Sequence, residues 1–508
     1  MKDIKILLFL FVTTLLVSCS KNVIVTPQVK PQPVVVIKDS VAVQKKYESI
    51  EYLTVPSYLA TPVSNSKLIV PVIIINWIPS KDGVVVDSNV SVIGGNQDWG
   101  SVTKYNMSVK TVNQWILSND LKVKYSIEEG SKFRGFNNPN ASPYVGIKVI
   151  KYINVYEMPL KSPDDNKQPG AKIPNYDSLF KKLNLKELVE SQGVKEVWLN
   201  WTNTGGIWVP ESNMASPTTG DISNSYKRAT DLPIYDKTYV VYGASFDRWF
   251  AEMVHCRGHQ IEAQMSYLNN NFFWQEFVGY PKGDPQPYKQ GGRSGSTHFT
   301  PNSTGDYDYS NTTDILSDIG DWSPSGNGKK TLINNNTWTF KRSVPFEIPI
   351  VENHTKWNEQ AKYVFGTDPQ SGWLIYWFQS IPNSNNNTLF SKHSITISQK
   401  DIDNSTYMDT IFNNDRSIKE IVKVINGVNV EYDNGFKKKQ ILNYKIAKTY
   451  NDEIFTENEI KFYYVDKNKK VTYTTNSTSV KSTAQLENWW DIFYNWDDAI
   501  KNKKNLYK

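Results

Sequence analysis

The spacing of apolar residues changes period several times along the chain, and each change marks an element. Leu68-Ile69-Val70-Pro71-Val72-Ile73-Ile74-Ile75-Asn76-Trp77-Ile78-Pro79 is a β-branched run closed by turn residues, the pattern of a buried strand. A helical stretch follows around Val109 to Asn119, and Ile147 to Val155 reads as another buried strand. From Asn175 to Glu190 the spacing of Leu179, Leu183, Leu185, Leu188 and Val189 suits a helix, after which Val194 to Leu199 reads as a strand. Tyr239 to Gly243 is a further strand that leads into an amphipathic helix. Alternating strands and helices predict an α/β or α+β body, a mixed sheet with flanking helices.

That last helix has two unlike faces. At roughly 100° per residue, Glu252, His255, His259 and Glu262 fall within about 80° of one another. Phe246, Phe250, Met253, Val254, Ile261, Met265 and Leu268 take the opposite side. A solvated polar face would satisfy an amphipathic helix with no function at all. Histidine is scarce, however: three of the five in the chain fall between His255 and His298.

Segment composition predicts five regions. Residues 1–18 form a leader and 19–46 a proline-punctuated extended tether; 47–382 is the main domain. Residues 383–482, rich in Asn, Lys and Thr, form a β-rich accessory segment in which Ile460 to Val465 and Lys470 to Tyr473 read as hairpin strands. Residues 483–508 are a C-terminal helix and basic tail returning to the main domain.

Met1 to Cys19 combines Lys2 and Lys5, an apolar run from Ile6 to Val17, and Leu16-Val17-Ser18-Cys19. This resembles the bacterial lipoprotein signal peptide, in which the lipobox cysteine is lipidated and becomes the new N-terminus. The resemblance implies an outer-membrane lipoprotein attached to the membrane through lipid on Cys19. Ser20-Lys21-Asn22 has neither the aspartate of inner-membrane retention nor the acidic run of many surface-exported Bacteroidota lipoproteins, so both faces of that membrane stay open. With Cys19 used for lipid, Cys256 is a lone thiol, no disulfide forms within the chain, and burial as a small hydrophobe suits it.

The net charge of +6 is scattered, and no basic stripe interleaved with stacking aromatics appears, which excludes nucleic acid as a partner. The 16 Trp and 29 Tyr suit sugar platforms or a core equally. No Gly-x-Ser-x-Gly elbow is present, and Gly291 to Ser296 lacks the lysine of a phosphate loop. Loop chemistry concentrates in Trp201 to Met214 and Gly295 to Tyr309.

Trp208-x-x-Glu211, Gly258-His259-x-x-Glu262, His298-x-x-Pro301-Asn302 with Tyr307-Asp308, and Asn488-Trp489-Trp490 together resemble an uncharacterised group of exported bacterial and fungal proteins with no established activity. The resemblance groups these residues without naming a reaction.

Three readings fit them. In the first, His255 and His259, an i, i+4 pair, grip zinc, and Glu262 or His298 completes the ligand set. Glu211 or Glu252 is then the base, with Trp208, Asn302, Tyr307 and Asp308 binding a polysaccharide or peptide substrate. The usual zinc-protease motif is broken, because Cys256 stands where its glutamate belongs and Ala251 where its first histidine belongs in the other alignment. In the second, two of Glu211, Glu262, Asp306 and Asp308 hydrolyse a glycoside without metal, with Trp201, Trp208, Trp249 and Tyr307 as platforms. In the third, the chain is a glycan-binding or adhesion lipoprotein and the polar groups order its loops.

Overall fold

The computed structural model describes residues 49–87, 107–158, 160, 162, 173–201, 207, 209–225, 231–245, 249–280, 293–322, 324, 328–362, 366–383, 389–398, 420–429, 438–450, 453–465, 471–473 and 477–507, with backbone alone over 389–484. Cys19, the tether and Trp208 lie outside the described residues.

Six strands form one mixed sheet: β1 (Ile50–Leu53), β2 (Leu68–Trp77), β3 (Val145–Val155), β4 (Glu196–Trp201), β5 (Ser212–Ala215) and β6 (Tyr239–Ser245), in the order β1-β3-β2-β4-β6-β5. The central strands β3, β2, β4 and β6 are parallel, and β1 and β5 close the edges antiparallel. Pro71 removes one ladder donor from β2, and the register against β3 shifts just beyond it, between Val72 and Ile73.

Helices cover both faces, as an α/β sheet requires. Helix α1 (Val109–Gly130) packs Leu121, Val123 and Ile127 with Val72, Ile74 and Val149 in one core. Helices α2 (Tyr176–Lys182) and α3 (Leu185–Glu190) pack Leu179, Phe180, Leu185 and Leu188 with Ile73, Ile75, Val197 and Leu199 in the other. α1 runs through Gly130, well past the apolar stretch that announces it, because Asp120, Lys122, Lys124 and Glu128 are buried. Lys122 donates to the Ala361 carbonyl at 2.9 Å, and Lys124 pairs with Glu128.

Order reverses between β2 and β4, so the carboxyl ends of the parallel strands open where such sheets gather functional groups. From that edge β4 leads to the loop carrying Glu211, and β6 leads into α4 (Ala251–Asn271). Beyond a π-helical turn at Phe272–Val278 come the small β7 (Ile315–Ser317) and β8 (Thr331–Ile333) pair and α5 (Pro369–Phe378).

The C-terminal helices α6 (Trp489–Tyr494) and α7 (Trp496–Lys501) lie in the core shared with α4 and α5. Asn488 caps α6 by accepting the Asp491 amide, and Trp489 packs on Phe273, Phe277 and Trp322. Much of the tryptophan is therefore core. In the accessory segment, β9 (Leu389–Ser398) pairs with β14 (Ser477–Gln485). There β10 (Glu420–Asn429), β11 (Lys438–Tyr450), β12 (Glu453–Val465) and β13 (Val471–Tyr473) form an antiparallel sheet. Among the described residues no helix is long and apolar enough to cross a membrane.

Candidate metal centre

His255 and His259 project from the first three turns of α4, and the loop 294–309 lays His298 across them. His298 Nε2 stands 2.9 Å from His259 Nε2 and 3.1 Å from His255 Nε2, and one ligand atom from each ring lies within 4.8 Å of the others. Two imidazole nitrogens bound to one tetrahedral zinc at 2.0–2.1 Å stand roughly 3.4 Å apart, so the triad needs only slight spreading to hold an ion.

The outer nitrogens explain why the inner ones face each other. His259 Nδ1 lies 2.9 Å from Glu262 Oε2, and His298 Nδ1 lies 2.8 Å from Asp306 Oδ1. A carboxylate only accepts, so each Nδ1 carries the proton of its contact, and a ring that is otherwise neutral then turns its Nε2 lone pair inward. The Tyr309 hydroxyl donates to the Thr297 carbonyl at 2.9 Å and stands 3.5 Å from His255 Nδ1, and the Gln370 side-chain nitrogen, a donor, lies 3.4 Å from the same ring nitrogen. Three ring nitrogens this close could hold one metal ion between them.

The surrounding charges act on the rings in opposite directions. Burial opposes protonation of His259, but the hydrogen bond to Glu262 and the charges of Glu262, Glu211 and Glu252 outweigh it and raise its pKa. Glu262 is buried, which by itself would raise its pKa, yet His259 and the amide and hydroxyl of Thr297 hold it below the usual carboxylate range. Burial, and then the charge of His259, lower the pKa of His298 against the pull of Asp306 and Glu262.

Glu211 Oε2 stands 3.8 Å from His259 Nε2 and accepts a 2.7 Å hydrogen bond from Asn224, whose own Oδ1 is held by the Ser212 hydroxyl at 2.8 Å. Glu252, half-buried on the same helix face one turn before His255, contributes its charge to the site. Tyr307 covers the site from outside, its ring 4.4 Å from that of His298 and parallel to that of His255 at 5.7 Å. It holds φ +59°, a left-handed backbone costly for an aromatic residue and characteristic of strained functional loops.

Three of the expected site residues hold hydrogen bonds inside the protein. Glu262 sits behind His259, with Oε2 on Nδ1 and Oε1 on the Thr297 amide at 2.8 Å, while the three histidines form the group that could hold an ion. Asn302 is not turned to substrate: its amide donates to the carbonyls of Asn311 and Thr313, and its oxygen accepts from Thr300. Asp308 likewise ties its own loop, accepting from Thr304 and Asn311. Cys256 is buried and points its thiol at the Gly243 carbonyl, away from the triad.

Sequence reasoning missed the supporting roles of Thr297, Tyr309 and Gln370. Gln370 reaches His255 from 115 residues away, and no local pattern announces it. Asp306 lies eight residues beyond His298, near enough in sequence to be read as its partner rather than as a catalytic acid. Comparison with protein-family models, with curated proteins and with solved structures finds no match for the chain.

Proposed function

We propose that the chain is a zinc-dependent hydrolase with His255, His259 and His298 as ligands and Glu211 as general base. The observation that carries this reading is the convergence of three Nε2 atoms whose opposite nitrogens are engaged by Glu262, Asp306 and the Tyr309–Gln370 pair. Three protein ligands leave a fourth position for water, as in catalytic rather than structural zinc sites. Held by these three histidines, a zinc ion would supply Lewis acidity, lowering the pKa of a bound water to about 7. Glu211, partly exposed, 3.8 Å from His259 Nε2 and steadied by Asn224, would take the proton of the attacking water and return it to the leaving group.

The metal-free glycosidase reading loses three of its four carboxylates, since Glu262, Asp306 and Asp308 are committed to hydrogen bonds inside the protein. The lipobox resemblance extends the proposal: the enzyme acts from the outer membrane on a polymer outside the cytoplasm.

Elemental mass spectrometry on protein purified without chelator or added histidines tests the reading. Near one equivalent of zinc, absent in His298→Ala and retained with loss of hydrolysis in Glu211→Gln, supports it. No metal after zinc is offered overturns it.

A further inference from the structure

His255 is backed differently from the other two histidines. His259 and His298 each set an outer nitrogen against a carboxylate, which only accepts, so Nδ1 of both rings carries a proton. Among the described residues, the outer nitrogen of His255 meets two neutral groups that ask opposite things of it. The Tyr309 hydroxyl, 3.5 Å away, donates to the Thr297 carbonyl, so it has only acceptor capacity left for Nδ1. The Gln370 side-chain nitrogen, 3.4 Å away, is a donor and needs Nδ1 bare. The inner side of the ring agrees with the amide. His298, with its proton on Nδ1, brings Nε2 to 3.1 Å from His255 Nε2. That is an N–H···N distance, shorter than the roughly 3.4 Å between two nitrogens on one zinc, so His255 holds its proton on Nε2. In that tautomer the ring offers an ion no lone pair at Nε2.

One part of this arrangement can turn. Asp368 caps α5 by accepting the Ser371 amide at 2.8 Å, and Pro369 fixes its first turn. Trp373 and Trp377 donate to the Ser296 and Gly295 carbonyls, which ties the same helix to the loop that carries His298. The backbone at Gln370 is therefore held against the triad, while its terminal amide rotates about a broad, two-fold torsion. A half turn exchanges nitrogen for oxygen with almost no change of shape. With Oε1 inward both neighbours accept, the proton sits on Nδ1, and Nε2 is bare. The ring keeps one proton throughout. We propose that Gln370 is a positioning residue whose side-chain amide selects the tautomer of His255, and that its half turn admits the metal ion. This rests on the metal centre proposed above.

Solid-state NMR on the full chain labelled with nitrogen-15 histidine tests it at pH 8, because protonated and bare ring nitrogens have separate shifts and only five histidines contribute. His255→Gln assigns the signals. The metal-free parent should show His255 with Nδ1 bare, and zinc should move the proton to Nδ1. Gln370→Glu, whose carboxylate only accepts, should show the Nδ1–H form before zinc is added and bind zinc roughly tenfold tighter. Tyr309→Phe removes the standing acceptor, so it should keep Nδ1 bare and weaken zinc roughly tenfold. A merely structural role predicts weaker zinc in both variants and an unchanged His255 tautomer. That result, or a parent already in the Nδ1–H form without metal, overturns the inference while leaving the metal centre standing. Failure of the parent to take up zinc overturns the hydrolase reading and the inference with it.

Discussion

Gly258 lies directly beneath Thr297: a Cβ on the glycine would stand 2.5 Å from Thr297 Oγ1 and 2.9 Å from Cγ2. Thr297 is fully buried and β-branched, so it has little room to turn aside. The missing side chain is what lets the loop press His298 onto α4. In an ordinary helix interior Gly→Ala stabilises by about 1 kcal/mol. Here Gly258→Ala should instead lift the loop and weaken zinc by at least ~10-fold, an effect of the size seen when metal ligands lose their support. A chelator competition titration reads this directly. Unchanged affinity would mean that the loop position does not set the site.

The carboxylates behind the rings make a second prediction. Asp306→Asn and Glu262→Gln keep shape but give up the charge that holds each Nδ1 proton, and each should cost roughly 10–100-fold in zinc affinity. Glu262→Gln should be the more damaging. Glu262 is buried and serves both His259 and the Thr297 amide, and a carboxamide has one oxygen where both partners need an acceptor. Asp306 is half exposed, so water partly replaces it. The reverse order would show that Glu262 matters to the fold rather than to the metal.

How far the sequence announces this protein depends on whether a feature is local. The apolar runs of β2 and β6 and the stripe Glu252-His255-His259-Glu262 are periodic, and periodicity survives into the structure. The C-terminal half of α1 was hidden because its polar residues find partners only in the folded state, as Lys122 does at the Ala361 carbonyl. The role of Glu262 turned on which nitrogen of His259 it faces, a distinction of one bond rotation that helical spacing does not carry. Asn302 and Asp308 sat in a motif with His298 because they shape the loop that delivers it.

Asp120 carries a pH prediction that is independent of the metal. Asn76, Asn154 and Asn200 form a row across β2, β3 and β4, and Asn200 donates to Asp120 at 3.2 Å. Complete burial pushes the Asp120 carboxyl up to about 8, against the hydrogen bonds of Asn200 and Tyr152. Below pH 4 the group is protonated both folded and unfolded. Between pH 4 and 8 the unfolded chain releases the proton first, so stability falls as pH rises, by up to about 1.4 kcal/mol per unit. Asp120→Asn, which can still accept from Asn200, should remove that slope and be more stable than the parent at pH 7. Burial pushes Lys122 down to about 7, so its own contribution recovers only above that pH and cancels in the comparison. Denaturant midpoints at pH 5, 7 and 9 decide it, and a variant whose advantage does not grow with pH would contradict the assignment.

Thermal stability separates a metal centre from a purely structural cluster of histidines. If the triad binds zinc only when folded, zinc at a hundredfold excess over its dissociation constant adds about 2.7 kcal/mol to the folded state. The unfolding midpoint should therefore rise with zinc and fall with chelator. His298→Ala is the informative variant, because Asp306 is half exposed and passes to water when its histidine is removed. His259→Ala would leave the buried Glu262 short of a partner and confuse the two effects. The expected result is a His298→Ala protein that melts close to the metal-free parent and does not respond to zinc. A structural cluster predicts the opposite pair: no response to zinc in the parent, and a clear loss of stability once His298 is gone.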